Sequence, residues 1–580
     1  MLKFLSFSVL MALTVSAFSQ GTNIPLGSEA YTYIQRFDVK YSKILPTEHV
    51  ADHPYFRSKV AHTAEALLLS NLSFDKVQQY QLQWLTDENP EWLDSMKSST
   101  HRPLWKFYQE PASLAVINSR PKGIFDIRFN PMLEVHVGSQ LGYGFVFSRA
   151  IGVEVRGNIK HVFNFYFNAT GNSARLPQYI TNYTQNAAYN SNFAFLSGEA
   201  YWKQYSSSLF GFKDGVDYFD ARGYVNVNIL KYINITFGRD KNFIGDGIRS
   251  LFLSDNSAPY LFLKFNLDLG RFHYQSLFTQ LTSQYVRGAD QFLPQKYAAF
   301  HHLSIQATHW LDLGLFEGVI FSRPNTFELQ YLNPIIFYRA VEHALGSPDN
   351  ELLGGNFKAN IAHHASIYGQ LLLDEFNFTH FFKGDGWWAN KWGLQLGFKY
   401  IDIVPHLDGQ VEFNYVRPFT YTHEDTIINY TNYNQPLAHP LGANFYEFIF
   451  SLRLQPAPKL TFTLKYVVAR MGDDTGVASG DRYAPYANFG GDILKPTNEI
   501  GAVNSPTLLG NKLGQGGKGF LNLVQLVGTY EIWHNVYLDA EITYRSRTST
   551  SSLNNPTPTG SAAIIQIGGR WNISRKNYLF

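Results

Sequence analysis

Apolar and polar residues alternate along most of the chain. In one stretch, Phe219 and Val225 fall on one face of an extended chain, whereas Asp220 and Arg222 fall on the other. The same alternation runs through residues 536–545 without a break. A period of two residues predicts β-strands with one apolar face. Roughly 16 to 20 such segments, most of about 9 to 12 residues, are separated by turn-rich gaps, and this length is typical of tilted strands that cross a bilayer.

Two architectures use alternating strands, and they differ in which face is wet. A soluble sandwich points its apolar face into a core and commonly uses shorter strands of about five or six residues. A transmembrane barrel turns the apolar face to lipid and the polar face to the lumen. In hydrocarbon every backbone N–H and C=O must be paired, and a closed sheet achieves this with strands. The sequence therefore predicts an all-β protein, a transmembrane antiparallel β-barrel, and a secreted all-β protein is the alternative.

The beginning of the chain has a different pattern. Residues 1–20 combine a positive charge at Lys3, a short apolar run and small residues near Ala17, which is typical of a cleaved secretory signal peptide. An uncleaved anchor helix is the alternative, but the apolar run is short for a membrane span. Residues 21–131 show mixed periodicity and are expected to form a small, partly helical periplasmic segment. Residues 132–580 are expected to form the barrel.

Three candidate helices lie in this N-terminal segment, at residues 28–37, 58–69 and 74–85. Asp75 stands where it can cap the third helix, and Pro90 and Pro103 interrupt the chain after that helix.

Composition narrows the functional classes. Charged residues and aromatic residues each make up 16% of the chain, and the net charge is +2, which gives no electrostatic footprint for nucleic acid. The absence of cysteine removes disulfides, Cys-ligated zinc, iron–sulfur clusters and thiol nucleophiles. The common serine-hydrolase and zinc-protease motifs do not occur. We therefore expect no catalytic residue, no cofactor and no metal site. A porin for small solutes and a barrel hydrolase remain alternatives.

Three blocks of sequence carry a resemblance to a known family. A glycine-rich turn at 238–247 leads into Arg-Ser-Leu-Phe-Leu-Ser-Asp-Asn-Ser-Ala-Pro at 249–259. A second block is 327–337, and a third runs from 412–421 to 437–444. Together they resemble the capsule-assembly Wzi family of outer-membrane proteins. The third block, with residues 25–31, is similar to the Bacteroidota branch that includes gliding-motility proteins of the RemB type.

This resemblance implies an outer-membrane barrel of about 18 strands with a helical periplasmic portion. It also implies a role at the cell surface, either as a lectin-like attachment point for capsular polysaccharide or in gliding motility. The implied partners are surface polysaccharide, outer-membrane lipid and motility or secretion machinery proteins.

The charged and polar residues of these blocks are the candidates for a glycan-binding or lumenal network. Inward-facing ion pairs also fill barrels without any chemistry, so an ion-pair lattice is the alternative for several of them. The candidates are Arg239, Asp240, Arg249, Asp255, Asn256, Glu328, Arg339, Glu342, Arg417 and His439.

Two polar stretches, 422–436 and 470–518, are expected to be long surface loops. Aromatic side chains in loop-like segments are candidates for stacking on sugar rings, and a place in the aromatic girdle at the membrane interface is the alternative that we favour for any one of them; they are Trp387, Trp388, Tyr483 and Tyr486. The aromatic Phe580 matches the terminal aromatic that outer-membrane barrels present to their insertion machinery, although Lys576 occupies a position that is usually apolar in that signal.

Overall fold

The computed structural model describes residues 21–42, 49–93, 108–119, 124–184, 196–199, 202–208, 210–229, 232–283, 292–323, 328–334, 337–338, 341, 349–475, 488–497, 507–551 and 559–580. The expected signal peptide at 1–20 lies outside the described residues.

Among the described residues, eighteen long antiparallel strands close into a single barrel, in which β18 pairs with β1, and two short strands, Ala115–Asn118 and Lys203–Ser207, add to the sheet. This confirms the predicted fold class. The strands are β1 (Phe125–Gln140), β2 (Gly144–Ile159), β3 (Phe163–Arg175), β4 (Phe212–Ile229), β5 (Ile233–Asp240), β6 (Tyr260–Leu269), β7 (Phe272–Thr282), β8 (Gln295–Thr308), β9 (Leu311–Phe321), β10 (Asn350–Ile361), β11 (Ala365–Leu373), β12 (Trp392–Val404), β13 (Leu407–Val416), β14 (Phe445–Ala457), β15 (Leu460–Asp473), β16 (Gly517–Trp533), β17 (Val536–Ser549) and β18 (Gly560–Trp571). The first of the eighteen long strands starts at Phe125, upstream of the change of period at Met132.

The alternation of the sequence maps onto the two faces of the wall. Phe219 is 68% exposed and Leu538 is 51% exposed, and both point outward. On the same two strands, Asn226 of β4 and Arg545 of β17 are buried inside the barrel. The wall therefore has an apolar outer face and a polar inner face, as a strand period of two requires when the outside is hydrocarbon.

The two ends of the barrel differ in the length of their connections. At one end the hairpins close through very short turns, such as 270–271, 405–406 and 534–535. At the other end the connections are longer, such as 241–259 and 417–444. Outer-membrane barrels place short turns on the periplasmic side and long loops on the extracellular side. We call these ends the short-turn end and the long-loop end.

Three N-terminal helices close the short-turn end: α1 (Glu29–Tyr41), α2 (Arg57–Leu68) and α3 (Lys76–Glu88). They lie where the sequence pattern predicts helices, and they share a hydrophobic core of their own. The Asp75 carboxylate caps α3 in a capping box with Gln78. No helix among the described residues is long and apolar enough to cross a bilayer.

Charged side chains of these helices bind the inner wall. Arg36 of α1 forms ion pairs with Asp402 and Asp408, which flank the β12–β13 turn. Asp38 pairs with Lys358 of β10 at 3.0 Å. These contacts fix the helices against the barrel.

Segments from the long-loop end fold back into the lumen. The connection 241–259 lies inside, and Tyr421 and Tyr430 donate hydrogen bonds to its main chain at Leu251 and Phe252. The stretch 422–436, expected to be a surface loop, is largely buried, because its amide and tyrosine groups bond to this connection and to the inner wall. Of the predicted loop 470–518, residues 488–497 are also largely buried and residues 507–510 are exposed, while 476–487 and 498–506 lie outside the described residues.

The fillings from the two ends meet in the lumen. Asp52 and His53, between α1 and α2, form a two-stranded antiparallel sheet with Phe243 and Ile244 of the long-loop segment. The main-chain N–H of Gly245 also donates to the oxygen of Ala51 at 2.8 Å. The barrel interior is therefore filled by the chain's own segments from both ends.

Residues 572–580 leave the last strand and also enter the lumen. Phe580 is buried there, with its ring 4.6 Å from that of Tyr183, between centroids. Tyr183 belongs to α4 (Gln178–Thr184), in the β3–β4 connection. The last barrel strand ends at Trp571, so Phe580 does not occupy the strand position that an insertion signal requires and that the sequence pattern suggested.

Candidate functional site

A polar chamber of about 380 Å³ remains beside these fillings. Inner faces of β1 to β5, β17 and β18 form one side, and the 241–259 segment and the tail 572–580 form the other. Four of the predicted candidates line it: Asp240, Arg249, Asp255 and Asn256. The volume lies within the range of small-ligand sites.

Ion pairs run along the wall of the chamber. Arg222 of β4 binds Asp220 at 2.7 Å and approaches Asp240 of β5 to 3.5 Å. Beside them, the Lys576 ammonium of the tail binds Glu199 at 2.8 Å and donates to the hydroxyl of Tyr218 on β4 at 2.7 Å. The alternation of β4 and β5 puts the acidic and arginine side chains inward, and the tail brings a lysine to the same stretch of wall.

Lys241 follows β5 and connects the wall to the folded-in segment. Its ammonium donates to the main-chain oxygen of Asp255 at 3.1 Å. Burial, together with the nearby Arg222 guanidinium, lowers the pKa of Lys241 to about 8. Because burial disfavours the charged ammonium, an added hydrogen-bond acceptor such as an anionic or hydroxyl group would stabilise it.

Arg249 and His439 share one buried carboxylate. Arg249 Nη2 donates to Glu447 Oε1 at 2.9 Å, and His439 Nε2 lies 2.8 Å from Glu447 Oε2. The Leu441 N–H donates to His439 Nδ1 at 3.2 Å, which leaves Nε2 as the protonated nitrogen facing Glu447. Burial lowers the pKa of His439. Arg249 and His439 thus belong to an ion-pair and hydrogen-bond lattice that holds the 241–259 segment to β14.

The backbone of this segment is fixed in the same way. The main-chain N–H groups of Ile248 and Arg249 donate to the two oxygens of Glu412 on β13, at 2.6 and 3.0 Å. Tyr368 donates to Glu412 as well, at 2.7 Å. The lattice therefore positions the chamber rather than offering free groups to it.

Asp255 and Asn256 present their side chains differently. Asp255 is exposed, and Asn256 is half-buried with its amide donating to the Pro436 oxygen at 3.1 Å. Both follow Ser254, whose hydroxyl bonds to the main chain at Leu437 and Ala438. They lie at the long-loop end of the chamber.

Other predicted residues lie elsewhere. Arg239 is on the outer face of β5, because the alternating positions of Thr236 and Asp240 face inward, and it donates to the Ala221 oxygen at 2.7 Å. Glu328 begins a short 3₁₀ turn in the β9–β10 connection and accepts from the Gln330 N–H at 3.3 Å. Neither residue lines the chamber.

Arg417 lies at the long-loop rim, where its guanidinium donates to the Asn511 oxygen at 3.3 Å and burial lowers its pKa. It links the 417–444 connection to the loop that contains Asn511. Arg339, Glu342, Tyr483 and Tyr486 lie outside the described residues.

Sequence reasoning missed Glu199, Lys465, Arg575 and Lys576, which also line the chamber. In the sequence, Lys576 places a charge at a position that is apolar in an insertion signal. This mismatch was the available sign that the tail does not serve as that signal. Among the described residues, no group of three His, Cys, Asp or Glu side chains has the arrangement that holds a metal ion.

No family model and no curated protein matches the chain. Among solved structures, it is similar to Wzi, an outer-membrane protein involved in group 1 capsule assembly in Escherichia coli, whose structure is that of a carbohydrate-binding β-barrel. The TM-score is 0.54 at 12% identity, over 96% of this chain and 99% of Wzi. The chain thus has a Wzi-like barrel fold.

Two further solved structures are similar at lower scores. OprD of Pseudomonas aeruginosa gives a TM-score of 0.40 at 11% identity, over 77% of this chain and 94% of OprD. OccAB2 of Acinetobacter baumannii gives 0.42 at 10% identity, over 77% of this chain and 98% of OccAB2.

Proposed function

We propose that this chain is a non-enzymatic outer-membrane barrel that attaches a surface polysaccharide. The observation that carries the proposal is the filled lumen, in which Asp52–His53 from one end pair with Phe243–Ile244 from the other. A barrel built for solute passage needs an open path, and this interior is used to hold a fixed polar surface instead. The filling argues against the porin alternative.

The polysaccharide contact is proposed at the long-loop end of the chamber. Asp255 is exposed there, and Lys241 and Asn256 lie beside it. Carboxylate, ammonium and amide groups together can bond to the hydroxyl and acidic groups of a sugar. The chamber volume of about 380 Å³ suits a terminal sugar unit rather than a long stretch of polymer.

The carbohydrate-binding character of Wzi, whose fold this chain shares, supports the choice of ligand. We propose the same surface location, with export through a cleaved signal peptide at residues 1–20. The biological role is either capsule attachment or gliding motility, the latter with motility or secretion proteins as partners. Loss of the protein should then weaken polysaccharide retention or spreading on agar without stopping polymer synthesis.

A binding assay with the purified barrel and the organism's own polysaccharide tests the proposal. The unmodified protein should bind saturably, and Asp255→Ala should weaken binding about tenfold or more, since a hydrogen bond to a charged group contributes roughly 1.5–3 kcal/mol. Glu424→Ala is the matched control, because Glu424 is an exposed carboxylate at the same end of the barrel but outside the chamber lining.

Equal weakening by both variants would place the contact away from the chamber. Flux of small solutes through liposomes, with no glycan binding by the unmodified protein, would favour the porin alternative.

A further inference from the structure

The β11–β12 connection carries an exposed aromatic helix, α5 (Phe378–Lys383), beside the long-loop end of the wall. None of its residues is buried. Phe378 is 64% exposed, Phe381 is 44% exposed and Phe382 is 81% exposed. Three phenylalanine rings turned outward on one short helix form a contiguous apolar surface, which marks an interaction site.

The helix is held in place, so its rings are a fixed feature of the surface. The Asn377 side chain caps its start, accepting from the Thr379 N–H at 3.0 Å and the His380 N–H at 3.3 Å. Its end is closed by Gly384 in the left-handed region, at φ 64°. His380 binds Asp385 at 2.7 Å and stacks on Trp387.

The connection around the helix is also tied down at its base. The main chains of Asp374 and Glu375 bond to that of Lys391 at 3.0 and 2.8 Å, and the Trp388 N–H donates to the Leu508 oxygen at 3.0 Å. The rings, which also pack on one another, therefore stay fixed at the surface.

The aromatic surface is continuous with the outer face of the barrel. The Phe381 ring centroid lies 6.4 Å from that of Trp392, the first residue of β12, and Trp392 stacks on Tyr415 of β13 at 5.0 Å. Leu396 and Phe398 follow on the same outer face of β12 and are exposed. The apolar face that a bilayer covers thus extends past the end of the strands onto α5.

The chemistry of the helix fits the boundary between lipid chains and headgroups. Aromatic rings concentrate at that depth in membrane proteins, and short amphipathic segments insert their phenylalanines there while basic residues reach the headgroups. Lys383, in the last turn, is exposed and supplies such a cation.

We infer that α5 inserts Phe378, Phe381 and Phe382 into the outer leaflet of the membrane and anchors the β11–β12 connection there, with lipid as the occupant of this surface. The inference rests on the proposed membrane location of the barrel. It assigns to this connection a role separate from the polysaccharide contact.

Site-specific labelling tests the inference, because the chain contains no cysteine. Phe382→Cys, Leu396→Cys and Glu424→Cys are each labelled with an environment-sensitive fluorophore and reconstituted in vesicles of phospholipid and lipopolysaccharide. Leu396 is the lipid control on the outer face of β12, and Glu424 is the water control. A difference in gel migration between unboiled and boiled samples verifies that each variant is folded.

The label at Phe382 should match the one at Leu396, with emission shifted to shorter wavelength, quenching by brominated lipid and protection from iodide. Iodide quenching at Phe382 as strong as at Glu424, with a lipid-like signal at Leu396, overturns the inference and leaves the membrane location intact. Water-like signals at both Phe382 and Leu396 overturn the inference and the proposed membrane location. Protection of Phe382 that arises only after polysaccharide is added identifies a sugar-stacking surface and also overturns the inference.

Discussion

Arg545, on the inner face of β17, donates from Nε to the main-chain oxygen of Phe580 at 2.7 Å. Arg249 donates to the neighbouring oxygen of Leu579, and Arg575 pairs with Glu541 of β17 at 3.1 Å. The tail 572–580 is therefore bound inside the barrel by side chains from the wall and from the long-loop segment.

Deletion of residues 577–580 should leave the barrel able to assemble and make its interior more permeable. Assembly should persist because β18 ends at Trp571 and is paired on both sides, with β17 and with β1. Heat-modifiable gel migration measures assembly, and conductance in planar bilayers measures permeability. Phe580→Tyr, which keeps a ring against Tyr183, should behave like the unmodified protein. If the deletion prevented assembly, these residues would act as the insertion signal that the sequence suggested.

An arginine should be far more damaging on the outer face than beside the chamber. Ile151, in the middle of β2, is 63% exposed on the outer face, whereas Asn168 of β3 lines the chamber. Ile151→Arg should cost roughly 2–4 kcal/mol in the bilayer, and Asn168→Arg much less. Urea titration of both variants in vesicles gives the comparison, and a larger loss for Asn168→Arg would reverse the assignment of faces.

Asn226 is not a suitable inner-face control. It is fully buried and bonds to Asn164, Asn234 and Thr236, so a larger side chain there disrupts a packed polar cluster. An inner position tolerates charge where it borders space, as Asn168 does.

The Arg249–Glu447 pair should act on stability and not on polysaccharide binding. Glu447→Ala leaves the Arg249 guanidinium without its carboxylate in a buried place, which should destabilise the protein by about 3–5 kcal/mol. The double variant Arg249→Met/Glu447→Ala should lose less than the sum of the two single variants, and this double-mutant cycle, followed by urea denaturation, measures the coupling. Unchanged stability of Arg249→Met together with lost glycan binding would instead make Arg249 a ligand contact.

Stability should depend on pH through Asp246, in the folded-in 241–259 segment. Burial raises the pKa of this carboxyl to about 6 from 3.8, against the opposing effect of Lys358 and Lys399, while Asp312 and Asp38 add to the rise. The folded state then holds a proton that the unfolded chain releases between about pH 4 and 6. The resulting stabilisation is present at low pH and is lost as the pH rises through about 6.

Asp246→Asn should remove this dependence and raise stability at pH 7 by the order of 2–3 kcal/mol, since one pKa unit corresponds to about 1.4 kcal/mol. Unfolding midpoints in urea between pH 4 and 8 measure the effect. Glu424→Gln, at an exposed carboxylate, should leave the profile unchanged. A profile of the Asn variant that still falls between pH 4 and 6 would assign the effect to another group.

The barrel was predictable from sequence because each strand must satisfy two solvents at once. Phe219 and Asp220 face opposite ways in the alternation and in the structure, and the same physical rule sets both. The candidates Asp240 and Asp255 came together at the chamber because one ends a strand on its inner face and the other follows in the connection that folds back beside it.

The remaining errors concern where polar segments go. The stretch 422–436 has the composition of a solvated loop, but in a wide barrel the lumen is also a polar environment and can bury such a segment through hydrogen bonds. The predicted positions of Phe580, in an insertion signal, and of Arg239, in the lumen, were wrong for a related reason. Composition does not say whether a residue past a strand turns inward, nor does it fix which parity a strand keeps at its last residues.

The ion pairs of α1 and α3 with the wall set a constraint on the order of assembly. Arg36 needs the β12–β13 turn, and Glu88 of α3 binds Arg156 of β2 as well as His534 and Asn535 of the β16–β17 turn. These partners are distributed over most of the chain. The N-terminal helices are made before every strand they bind, so their ion pairs with the wall form only after the last hairpins have closed around them.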